Sequence, residues 1–173
     1  MFDGWSEFFL LIGSAAAVLI GLIFVVISLM QDRSRSTVLA GSKLYMGPIV
    51  LGVSFVLVLS AAALMPGMSR CGFAAIAGAV ALWGVGRGAI STTGIRRLAS
   101  SDDAPHWTDS WFYGVMPSAL YVGLGFVALA FWRDWWWAHD GLAAVITGCL
   151  LLAIRNEWDL ITWIAPRRDG GPA

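Results

Sequence analysis

Five runs of about twenty mostly apolar residues, joined by short polar connections, constrain this chain more than any other feature. They span about 8–30, 44–65, 71–92, 111–132 and 138–164. The hydrocarbon core of a bilayer is about 30 Å thick, and a helix rising 1.5 Å per residue crosses it in about 20 residues. Inside that core only helices and closed barrels satisfy their own backbone, and barrel strands need only about 10 alternating residues. These runs are longer and do not alternate. The expectation is an all-α, polytopic integral membrane bundle of five transmembrane helices, forming one transmembrane domain over 1–173.

Composition excludes the soluble alternatives. Hydrophobic residues make up 58% of the chain and charged residues 13%, against about a quarter charged in ordinary globular domains. Eleven basic and eleven acidic residues cancel, so no basic footprint for nucleic acid exists. Two cysteines cannot build a disulfide framework. The acidic opening, with Asp3 and Glu7, lacks the basic start of a secretory signal, so the first run is expected to remain as a helix.

Orientation follows from the basic residues. Arg33, Arg35 and Lys43 lie between the first two runs, Arg87, Arg96 and Arg97 around the end of the third, and Arg155, Arg167 and Arg168 near the C-terminus. Only Arg70 and Arg133 fall on the other side. The N-terminus is therefore expected outside and the C-terminus in the cytoplasm. Tryptophans, which favour the headgroup layer, give the same map. Trp5, Trp132, Trp135, Trp136 and Trp137 fall at the outer interface, and Trp107, Trp111, Trp158 and Trp163 at the inner one. Trp83 alone sits deep.

Membrane helices associate through small residues and a few polar contacts. On the first helix Gly13, Ser14, Ala17, Gly21 and Ser28 share a narrow face. The third has two such faces: Ala74, Ala77, Ala81, Gly84 and Gly88, and Gly72, Ala75, Ala79 and Gly86. That pattern predicts a central third helix, gripped from both sides. On the fifth helix Gly141, Ala144, Gly148, Arg155, Asp159 and Thr162 fall within an arc of roughly 80°. Arg155 and Asp159 are spaced to pair. Two readings stand: with Asn156 and Gly148 they line a pathway, because intramembrane charges usually face cavities, or they anchor a helix end. Glu157 is expected on the opposite side, in the headgroups.

Several chemical-looking patterns read as structural. Gly84-Val85-Gly86-Arg87-Gly88 mimics a phosphate loop but lies inside a spanning run, so packing explains it. Arg87 is expected to reach the cytoplasmic surface. His106 with Asp102, Asp103 and Asp109 matches no metal-ligand spacing, and Thr108, Asp109 and Ser110 suit helix capping. No histidine pair for haem is evident. Cys71 and Cys149 differ in depth and should not bridge. Ser14, Ser28, Ser54 and Ser60 have no aligned base. No enzyme, cofactor or metal is expected.

Two segments carry a resemblance. Trp5-Ser6-Glu7-Phe8-Phe9 leading to Gly21-Leu22-Ile23-Phe24-Val25-Val26-Ile27-Ser28-Leu29, and Ile154-Arg155-Asn156-Glu157-Trp158-Asp159-Leu160-Ile161-Thr162-Trp163, resemble the opening and closing segments of a group of five-helix bacterial inner-membrane proteins. Glu157 departs from their pattern, where a small residue is usual. The resemblance implies a multi-pass protein of the bacterial inner (cytoplasmic) membrane and assigns no activity. Two function classes follow. One is a homo-oligomeric channel-like or transport protein, with membrane lipids and further copies as partners. The other is a non-catalytic accessory or scaffold subunit of a larger membrane complex.

Overall fold

A computed structural model describes residues 1–29, 47–98 and 111–164. Among the described residues the chain is all-helical, with five helices: α1 (Ser6–Leu29), α2 (Gly47–Leu64), α3 (Arg70–Leu98), α4 (Met116–Arg133) and α5 (Ala138–Ile164). Four are long and apolar enough to cross a membrane, over Ser6–Val25, Arg70–Ile90, Met116–Arg133 and Ala138–Asp159. The apolar part of α2, Ile49–Leu64, is shorter. Among the described residues the chain is thus a helical bundle with four helices able to cross a membrane. The third run is longer than expected. The fourth differs in kind: Trp111–Val115 forms a turn of π-helix, and the α-helix starts at Met116.

The helices form two tight pairs, α1 with α2 and α3 with α4, and α5 touches α1, α2 and α4. The pairs are close because small residues lie at their contacts. A Cβ at Gly13 of α1 would stand 3.1 Å from Ser60 Cβ of α2. A Cβ at Gly84 would overlap the Tyr121 ring of α4, and one at Gly88 would overlap the Ser118 hydroxyl. Tyr121 also reaches α2: its ring lies 5.8 Å from that of Phe55. Its hydroxyl oxygen is 3.7 Å from the Cβ position of Gly52.

The expected central place of α3 is corrected. Ala74, Ala77, Ala81, Gly84 and Gly88 are buried, but Ala75, Ala79 and Gly86 on the other face are exposed. The helix that bridges the pairs is α5, whose Leu142, Ile146, Leu150 and Ala153 are buried in one stripe. Their i, i+4, i+8, i+11 spacing keeps them on one side of the helix. The stripe of α5 touches α1, α2 and α4, whereas α3 packs mainly on α4.

At one end an aromatic knot ties the N-terminal segment to α1, α3, α4 and α5. Phe2 lies 5.1 Å from Phe9, 4.9 Å from Phe73 and 5.2 Å from His139, ring to ring. Phe131 lies 4.9 Å from Phe73 and 5.1 Å from His139. These are edge-to-face pairs, each adding about 0.5–1.5 kcal/mol beyond its buried area. His139 Nε2 stands 3.0 Å from the Met1 carbonyl oxygen. Nearby, Ser69 caps α3 by accepting the Gly72 N–H at 3.0 Å.

Helix α4 ends in a left-handed residue, Asp134 with φ 57°. The Trp135 N–H donates to Ala130 O at 2.9 Å and the Asp134 N–H to Phe131 O at 3.4 Å, the pattern that closes a helix through an αL residue. Asp134 also pairs with Arg70 at the start of α3, and that hydrogen bond holds its carboxyl below the ordinary carboxylate range. A lowered value means the pair stabilises the fold above the unfolded carboxyl's value, near pH 4. The contribution is lost as pH falls through the folded value.

Two outcomes follow. Gly84→Ala should destabilise the bundle by about 1–3 kcal/mol through overpacking, while Gly86→Ala, with open space around it, should be neutral or gain up to about 1 kcal/mol; thermal unfolding in detergent compares them. Asp134→Asn keeps a residue suited to the αL position. It should unfold like the parent in acid and slightly earlier at neutral pH.

Candidate functional site

The polar residues of the fifth run gather at the end of α5 far from the aromatic knot. Arg155 follows Ala138 by about 25 Å along the axis. Its guanidinium Nη1 lies 2.8 Å from Asp159 Oδ2, an i, i+4 ion pair whose side chains are 37% and 41% exposed. The same Nη1 donates to Asn156 Oδ1 at 3.1 Å. The guanidinium carbon sits 3.3 Å above the Phe112 ring centroid, a cation–π contact with the π turn.

The π turn explains why Asn156 is needed. In its i→i+5 register the carbonyl of Phe112 faces the nitrogen of Pro117, and proline has no N–H to give. Asn156 Nδ2 supplies the missing donor, 3.1 Å from Phe112 O. Asn156 is only 4% exposed, so losing that bond would leave the carbonyl without its side-chain donor. One turn on, Ser118 Oγ donates to Gly114 O at 2.7 Å. A small cleft of about 20 Å³ opens beside Asn156, between Ile49 and Gly52 of α2, Pro117 and Tyr121 of α4, and Ala153. That is room for about one water.

The structure divides the expected stripe of α5. A Cβ at Gly141 would meet the Trp137 ring at 2.8 Å and Val127 at 3.2 Å, and one at Gly148 would meet Leu120 at 3.0 Å. Gly148 therefore faces α4, whereas Ala144 and Thr162 are exposed. Thr162 Oγ1 donates within its own helix, at 2.9 Å to Asp159 O and 3.1 Å to Trp158 O. Arg155, Asn156 and Asp159 are brought together.

On α1 the expected face is also divided. Gly13 is buried against Ser60, but Ala17, Gly21 and Ser28 are exposed, and no atom stands within 4 Å of a Cβ at Gly21. Inside the chain α1 packs through Phe9, Ile12, Ala16 and Ile23. Gly84 and Gly88 both lie in the α3–α4 contact. Arg87 is exposed. Cys71 and Cys149 are free thiols, the first exposed and the second half-buried. His106, Asp102, Asp103 and Asp109 lie outside the described residues. Among those described, no three His, Cys, Asp or Glu side chains form a group able to hold a metal.

Glu157 requires the clearest correction. It faces inward rather than outward: it is 4% exposed, and neither carboxylate oxygen has a hydrogen-bond partner. The reason lies in helical spacing. Counting from Ile146, the positions Leu150, Ala153 and Glu157 recur at four, seven and eleven residues, so Glu157 extends the buried stripe. That spacing is legible in the sequence. The flanking Trp158 and Asp159 masked it by suggesting an interfacial segment.

Asn156→Ala should cost about 1–3 kcal/mol, since it orphans the Phe112 carbonyl. Asp159→Asn should cost less, because Arg155 keeps Asn156 Oδ1 and the Phe112 ring. Unfolding temperatures in one detergent would rank the two; the reverse order would contradict the role given to Asn156. No protein-family profile matches this chain, and no curated protein or solved structure matches it.

Proposed function

We propose that this chain is a homo-oligomeric, channel-like protein of the bacterial inner membrane, crossing it five times with the N-terminus outside and the C-terminus in the cytoplasm. The observation that carries the reading is the Arg155–Asp159 pair on α5. Both side chains remain more than a third exposed on a helix whose span includes them. A charge facing hydrocarbon costs at least about 2.5 kcal/mol at mid-membrane and less near the interface. A second copy of the chain, or a water path between copies, removes that cost.

Exposed small residues support the same assembly. Ser14, Ala17 and Gly21 of α1 and Ala75, Ala79 and Gly86 of α3 are exposed among the described residues, and small surfaces of this kind favour close helix approach. The basic residues support the orientation. Arg70 and Arg133 lie at the end with the aromatic knot, and Arg87, Arg96, Arg97 and Arg155 towards the other. The bacterial inner membrane rests on the resemblance of the opening and closing segments. In this reading the protein is not an enzyme, and its partners are lipids and its own copies.

Mass measurement and two-dimensional class averages of the purified protein test the assembly. A closed ring is expected; a monomer would favour an accessory subunit of a larger complex. In liposomes, Asp159→Asn should assemble and change ion flux or preference. Unaltered assembly and flux in both Asp159→Asn and Arg155→Gln would reduce the pair to an anchor. Reporter fusions at Ala173 and after Gly67 should read cytoplasm and periplasm.

A further inference from the structure

We infer that Glu157 is a binding site for a small monovalent cation, a proton or an alkali metal ion, within the α5 stripe at the Arg155 end of the bundle. A carboxylate removed from water must be compensated by hydrogen bonds, a counter-charge or a bound proton. Glu157 is 4% exposed and neither oxygen is hydrogen-bonded. Among the described residues no basic side chain pairs with it. Arg155 is two positions away, about 200° round the helix, and is engaged with Asp159, Asn156 and Phe112.

Among the described residues of α1, α2 and α4, none offers a better partner. Helix α2 has no ionisable side chain anywhere in Gly47–Leu64. The only one in α1 is Glu7, in its first turn at the opposite end. Tyr121 of α4, and Cys149 of α5 itself, line the cleft beside Asn156 rather than the Glu157 stripe. The carboxyl therefore sits where a bound cation would neutralise it, and where filling and emptying the site changes the charge inside the bundle. This site does not depend on an oligomer or on a pore between copies.

The test uses the purified full chain in detergent micelles and dicyclohexylcarbodiimide, an apolar reagent that modifies shielded, protonated carboxyl groups. The carboxyl oxygen bonds the central carbon of the reagent and the carboxyl proton passes to one nitrogen. Mass spectrometry of peptides should locate the adduct on Glu157, with labelling that falls as pH is raised. Sodium or potassium that protects Glu157 at fixed pH, where choline does not, identifies a metal ion as the occupant. Equal labelling in all three salts identifies the proton. Glu157→Gln should elute as the parent does and lose the adduct; if it fails to fold, the parent's own pH and salt series still decides. Absence of the adduct on Glu157 at every pH, or labelling indifferent to both pH and salt, would overturn the site.

Discussion

Tyr121 seated against Gly84 is the contact on which the arrangement of the bundle depends. A side chain at position 84 would occupy the volume of the ring, so the helices meet there only because the glycine has none. The same ring extends to Phe55 and Gly52 of α2. One residue of α4 thus sets its distance from α3 and touches the other helix pair. In lipid, where apolar burial between helices contributes little, such close approach replaces the hydrophobic effect as the source of cohesion. The position of α5 then follows, with Gly141 and Gly148 laid against α4.

Beyond that contact the two ends of the bundle differ in chemistry. One end is closed by phenylalanine rings and the Arg70–Asp134 pair, with the first residues of the chain folded into it. The other is polar. There the π turn exposes a carbonyl that Asn156 must satisfy, Arg155 lies over Phe112, and Asp159 completes the ion pair. A proline after a π turn is a local fault in the helix ladder, and the fifth helix repairs it with a side chain. This couples the entry angle of α4 to the polar end of α5.

Apolar run length made the helices legible in the sequence, because the bilayer requires a minimum span and excludes open strands. The roles of the small faces were less legible. Gly84 and Gly88 do meet a neighbour, but Gly21 and Gly86 show the same spacing and meet none. Periodicity says which residues share a face, and only the tertiary arrangement says whether the face is covered. The π turn was hidden for a different reason: Trp111 to Val115 is apolar and reads as ordinary helix. Glu157 reads in the sequence as an interfacial anchor because it is charged and beside tryptophan, although its register with Ile146, Leu150 and Ala153 turns it inward.

The central claim is that the Arg155 flank of α5 meets protein or water, while the neighbouring flank meets lipid. Site-directed spin labels in lipid bilayers, read by collision with oxygen and with a water-soluble nickel chelate, test it directly. With Cys71 and Cys149 replaced by alanine, single labels would be placed at Ala144 and Thr162, which share the Arg155 arc, and at Ile154 and Ile161, which do not. All four positions are exposed in the chain. The account predicts low oxygen collision at Ala144 and Thr162, with nickel access wherever water lines the face, and high oxygen collision at Ile154 and Ile161. High oxygen collision at all four positions would contradict it.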